Sequence, residues 1–204
     1  MKILKEYIPI TLNKIFKCDE FLEDGGIIIS SINYTKDKLE LIFNIFYNGY
    51  EIPKQQWKII INGLLKEKIE RGWADYLVVY SDHYLLYEFS DIHGDLYFKE
   101  KSKNPDKLFI DLYKSYLKNY QGDFLPFGKG INPAMKITRL CNSNAGLFAR
   151  GPKIILEKYH EVLSENNIRS NIVISESEKI SDLKILFFGD SYFIAKSFEF
   201  ERIG

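Results

Sequence analysis

A chain of 204 residues that is 46% hydrophobic and 15% aromatic can fill a sizeable core, which excludes a disordered chain. Its 28 basic and 28 acidic residues cancel, so no global field recruits nucleic acid or an anionic membrane. Cys18 and Cys141 form neither a CxxC pair nor a zinc-spaced cluster, and no segment reaches the roughly 18 consecutive apolar residues that span a bilayer.

The start, "MKILKEYIPITLNKIFKCDEF", is broken by charges and Pro9 and lacks the apolar stretch of a signal peptide, so a cytoplasmic protein is expected. From Gly26 to about Phe98, short runs rich in β-branched and aromatic residues are separated by Gly, Asp, Asn or Pro. The runs are "GIIISSINY", "KLELIFNIFY", "QQWKIIIN", "LLKEKIE", "DYLVVYS", "YLLYEF" and "DLYFKE", which predicts six or seven antiparallel strands. In "KLELIFNIFY", Leu39, Leu41, Phe43 and Ile45 fall on one face; Trp57, Ile59 and Ile61 do the same in "QQWKIII". One sheet face is built for a core.

In "NPDKLFIDLYKSYLKNY", Leu108, Phe109, Leu112, Tyr113, Tyr116, Leu117 and Tyr120 form a helical stripe expected to cover that sheet. Asn104 is the N-cap, Pro105 the first helical residue and Gly122 the stop. "QGDFLPFGKGINP" reads as a structured connection, since a solvated tether has no use for its Phe and Leu residues. Next come a strand in "MKITRL", the loop "CNSNAGLFAR", a helix starting at Gly151 or Pro152, a strand in "NIVIS" and a hairpin turning at Gly189 and Asp190. The expected fold is α+β: residues 1–121 as an antiparallel sheet packed by one amphipathic helix and residues 122–204 as a smaller β-α-β-β region, joined in one compact unit.

The stretch "SDHYLLYEFSDIHGD" carries the densest polar chemistry in the chain. His83, Glu88, Asp91, His93 and Asp95 are candidate acid/base residues of a metal-dependent hydrolase, with His83, His93 and Asp95 as candidate ligands. A strand over "YLLYEF" would hold the two histidines at opposite ends, and Asp, His and Gly94 are ordinary turn residues, so the rim of a sheet is the favoured reading. Arg150 and Gly151, at a helix start, are candidates for binding a small anion. His160 reads as a core-edge or solvent-facing helix residue, and Lys99, Lys101 and Lys103 as a local basic patch.

No nucleophile elbow, phosphate loop or zinc motif is present, so no cofactor is expected. The expected function is a non-enzymatic module that binds another protein, of the bacterial toxin-neutralising, immunity class. Tyr84, Tyr87 and Trp73 are its candidate interface residues, since Tyr and Trp supply contact area at low entropic cost.

Overall fold

The computed structural model describes every residue except 1, 5, 6, 37, 48–53, 121–123 and 176–177. Gly122, the expected stop of the long helix, lies outside the described residues. The chain divides into two compact units: residues 1–86 with 182–204, and residues 87–181. The expected division lies at 121; the second unit is instead inserted between residues 86 and 182 of the first.

Unit 1 opens with β1 (Lys2–Ile3), α1 (Ile10–Ile15) and α2 (Asp19–Asp24), followed by β2 (Gly26–Tyr34), β3 (Lys38–Phe46), β4 (Gln55–Asn62), β5 (Lys66–Lys68), β6 (Trp73–Ala74) and β7 (Leu77–Asp82). Unit 2 contributes α3 (Tyr87–Ser90), β8 (His93–Phe98), α4 (Pro105–Tyr120), α5 (Ile137–Cys141), β9 (Gly146–Pro152), α6 (Lys153–Glu165) and β10 (Ser170–Ile174). The chain returns to unit 1 for β11 (Lys184–Phe188), β12 (Ser191–Ala195) and β13 (Ser197–Arg202). This is a mixed α+β protein with antiparallel sheets.

In unit 1 the sheet β13-β4-β3-β2-β6 and the sheet β1-β7-β11-β12-β5 share their corners. β4 continues into β5 and β12 into β13, and the ladder between these two paths persists through the corner: Lys196 N–H donates to Asn62 C=O at 3.1 Å, and Leu65 N–H to Ile194 C=O at 2.9 Å. On the opposite side β6 pairs with β2, and after a two-residue bend β7 pairs with β11. The strands thus run in a circuit, β2, β3, β4 with β5, β12 with β13, β11, and β6 with β7, which removes most of the open edge.

Alternation fills the interior. Leu39, Leu41, Phe43 and Ile45 of β3 and Trp57, Ile59 and Ile61 of β4 are all buried, as their spacing requires. They meet Leu77 and Val79 of β7, Leu186 and Phe188 of β11 and Phe193 of β12, with Phe43 edge-on to Phe188 at 5.4 Å. The apolar face is therefore covered by the second sheet of the same unit. The expected hairpin is present: Gly189 has φ of 55°, a left-handed value that favours glycine in a tight turn, and Phe188 faces Ser191.

Unit 2 is a three-stranded antiparallel sheet, order β10-β8-β9, with α6 packed on it and α4 packed with α5 and α6. Asn104 caps α4 as expected, its Oδ1 accepting from Lys107 N–H at 3.0 Å. Leu108, Leu112, Tyr116 and Tyr120 are buried, whereas Tyr113 and Leu117 of the expected stripe are exposed with Ile110. The expected strand "MKITRL" is the helix α5, and the expected loop after it contains most of β9. The strand "NIVIS" is β10. Among the described residues, no helix is long and apolar enough to cross a membrane.

Candidate functional site

The run "YLLYEF" is not a strand. Residues 84–86 form a 3-10 turn, closed by Leu86 N–H donating to His83 C=O at 2.9 Å, and α3 follows directly. Tyr84, Leu85 and Leu86 are all buried and Glu88 is exposed, and a short, mostly apolar segment of this kind fits either period.

The candidate residues fall in two different units. His83 belongs to unit 1 and is only 4% exposed. Its ring lies 4.1 Å from Tyr84 and 4.9 Å from Phe187 between centroids, and its Nδ1 accepts Leu85 N–H at 3.2 Å. Burial pushes its pKa down to about 4, so at neutral pH it is an uncharged core side chain. Tyr84, a candidate interface residue, is buried beside it; Tyr87 is half-buried. Trp73 is 44% exposed, and its ring packs against Phe46 at 5.8 Å.

The other members lie in unit 2, where the strand pairing of β8 with β9 sets Asp95 opposite Arg150 and Gly94 opposite Gly151. Arg150 grips Asp95 with both arms of its fork, Nε to Oδ1 at 2.6 Å and Nη2 to Oδ2 at 2.9 Å. That guanidinium holds the Asp95 carboxyl below the ordinary carboxylate range. Asp91 spans two segments: Oδ1 accepts Ile92 N–H and Oδ2 accepts Ile154 N–H, each at 2.8 Å. The second bond caps α6, whose preceding N–H, that of Lys153, donates to Ile92 C=O at 2.8 Å.

The proposed anion site at Arg150 and Gly151 is thus satisfied from within. Arg150 is taken by Asp95 and a first-turn donor of α6 by Asp91. His93 Nε2 lies 2.9 Å from the Glu88 carbonyl, which can only accept, so that nitrogen carries the proton. Asp91 and Asp95 and the start of α6, separate candidates in the sequence, are one structural network. Among the described residues, no three His, Cys, Asp or Glu side chains are grouped to hold a metal ion.

A different feature of unit 2 remains open. The outer side of β9 is covered by residues 130–132: Arg150 N–H donates to Gly130 C=O at 2.7 Å and Asn132 N–H to Phe148 C=O at 2.9 Å. β10 has no such cover among the described residues. Lys99 N–H donates to Arg169 C=O and Ser175 N–H to His93 C=O, so the odd-numbered residues of this strand turn toward β8. Antiparallel alternation then turns the N–H and C=O groups of Ser170, Ile172 and Ile174 outward. Val173 and Ile174 are 51% and 45% exposed, and residues 170–175, "SNIVIS", contain no charge and no proline.

At the N-terminal end of this edge a groove of about 690 Å³ is lined by Lys99, His160, Ser164, Asn167, Arg169 and Ser170. Asn167, with φ of 56°, reverses the chain after α6, and Ile168 N–H reaches back to Leu163 C=O at 2.9 Å. His160 Nδ1 lies 2.7 Å from Ser170 Oγ on the groove wall. Arg169 pairs with Glu100, Nε to Oε1 at 2.6 Å, while Lys99 has no carboxylate partner among the described residues. The sequence marked Lys99 as basic and His160 as core-edge but did not join them to "NIVIS"; an uncharged β-branched run was the available signal.

No protein-family model matches the chain, and no curated protein or solved structure matches it.

Proposed function

We propose that this chain is a non-enzymatic protein-binding module, and that its partner docks by adding a strand to β10. The observation that carries this reading is the outward row of backbone groups on Ser170, Ile172 and Ile174, flanked by exposed Val173 and Ile174 and unprotected by charge, proline or bulge. Such an edge pairs readily with another extended chain, and proteins that leave one bare risk aggregation. The spent state of the polar clusters supports the same reading, because Asp91, Asp95 and Arg150 are engaged in holding β8, β9 and α6 together. The cytoplasmic, toxin-neutralising immunity class expected from the sequence is kept as the form of this proposal, supported by a neutral, tyrosine-rich composition.

Proline at position 174 tests it, since the Ile174 N–H points outward and the ladder to β8 does not use it. Ile174→Pro is expected to leave circular dichroism and the unfolding midpoint nearly unchanged while abolishing co-purification of a stoichiometric partner. Val173→Pro, which removes an inward N–H, is expected to lower the midpoint. A strictly monomeric native protein, or a partner retained by Ile174→Pro, would sink the proposal.

A further inference from the structure

We infer that the strand received by β10 is the C-terminal end of a partner chain, bound antiparallel with its free carboxylate in the groove lined by Lys99, Arg169, His160 and Ser170. This inference rests on the strand-addition reading above and adds to it the direction and chemistry of the ligand.

The direction follows from charge. An antiparallel strand beside β10 brings its C-terminal residues to Ser170, whereas a parallel one brings its N-terminal residues there. The side chains at that end are Lys99 and Arg169, with His160 hydrogen-bonded to Ser170. Lys99 is uncompensated among the described residues, and Arg169, although paired with Glu100 through Nε and Nη2, keeps the rest of its five N–H donors, its side chain being 80% exposed. A protonated amine would be repelled; a carboxylate would gain charge-assisted hydrogen bonds. The outward N–H of Ser170 adds a backbone donor at the same place.

The groove also limits the ligand's shape. It lies between the last turns of α6 and the first residues of β10, and the turn at Asn167, Ile168 and Arg169 forms part of its wall beside Ser170. A chain that stops there fits. Upstream ligand residues lie beside Ile172 and exposed Ile174, which favours β-branched or aromatic side chains in the ligand.

The test uses the full chain and two fluorescently labelled pools of short random peptides, identical except that one ends in a free carboxylate and the other in an amide. The free-acid pool is expected to bind about tenfold more tightly, the range of one charge-assisted hydrogen bond. Lys99→Glu is expected to erase that difference, and Ile174→Pro to abolish binding of both pools. Equal binding of acid and amide, with both lost in Ile174→Pro, overturns end capture and leaves strand addition standing. Binding that survives Ile174→Pro, or no binding from either pool, overturns both.

Discussion

Burial decides what each polar residue of "SDHYLLYEFSDIHGD" does. An exposed histidine titrates near 6.5, but removal of His83 from water penalises its charged form and lowers that value to about 4. The folded state therefore binds fewer protons than the unfolded state between these two values. Stability is fully present above about pH 6.5 and declines as the pH falls toward 4; by linkage the loss reaches about 2 kcal/mol at pH 5. Urea unfolding at pH 7.5 and pH 5 is expected to reveal this loss in the native chain and much less of it in His83→Phe, which starts lower because Leu85 N–H loses its acceptor. Asp91 has the opposite character, a carboxylate with both oxygens used as acceptors. Asp91→Ala is expected to cost about 1 kcal/mol, the worth of a helix cap, and to speed exchange of the Ile154 amide, with Asp91→Asn intermediate. Asp95→Ala should matter less, below about 1 kcal/mol, because its Arg150 partner is 67% exposed and such pairs are screened by water. The sequence displays these residue types but not their partners: Asp91 and Ile154 are far apart in the chain, and no local pattern joins them.

At the scale of the element, legibility followed the length and regularity of the pattern. The alternation of β3 and β4 and the capped helix at 105–120 were readable because each carries several repeats of its own period. The runs "YLLYEF" and "MKITRL" carry too few, and β-like composition prevailed over a short helical turn in both. Trp73 illustrates a contact that no periodicity reveals. A side chain added at Gly26 would place Cβ 1.9 Å from Trp73 Cε2, so the indole lies directly over the bare backbone at the start of β2 and shields it. Gly26→Ala is expected to displace the ring, shift tryptophan emission to the red and lower the unfolding midpoint, since β6 pairs with β2 at Ile27 and Ile28. The face of the β10 edge belongs to the same lesson: composition marks it as extended, yet only the pairing of β8 with its neighbours shows which backbone groups are left outside.

For the whole molecule, the insertion of unit 2 into unit 1 follows from where the chain enters and leaves. β7 and β11 are adjacent antiparallel neighbours, Tyr80 opposite Ile185 and Leu77 opposite Phe188, so residues 82 and 184 end at the same rim and a short loop could join them. The inserted unit has the same property, since Ile180 N–H donates to Phe89 C=O at 3.0 Å and draws its two ends together. Sequence order hides this arrangement, because "NIVIS" and "LKILFF" are neighbours in the chain and members of different units. Among the described residues, the cluster around Phe43, Ile59 and Phe193 is drawn from residues 1–86 and 182–204. Replacing residues 87–181 by a short Gly- and Asn-containing linker is therefore expected to leave a β-rich chain that unfolds in one cooperative transition and retains the pH dependence due to His83. The excised 87–181 segment should keep protected amides in β8 and the bonds that Asp91 and Asp95 make. A shortened chain lacking cooperative unfolding would show that the insertion is needed to complete the first core, and that the circuit of strands is not self-sufficient.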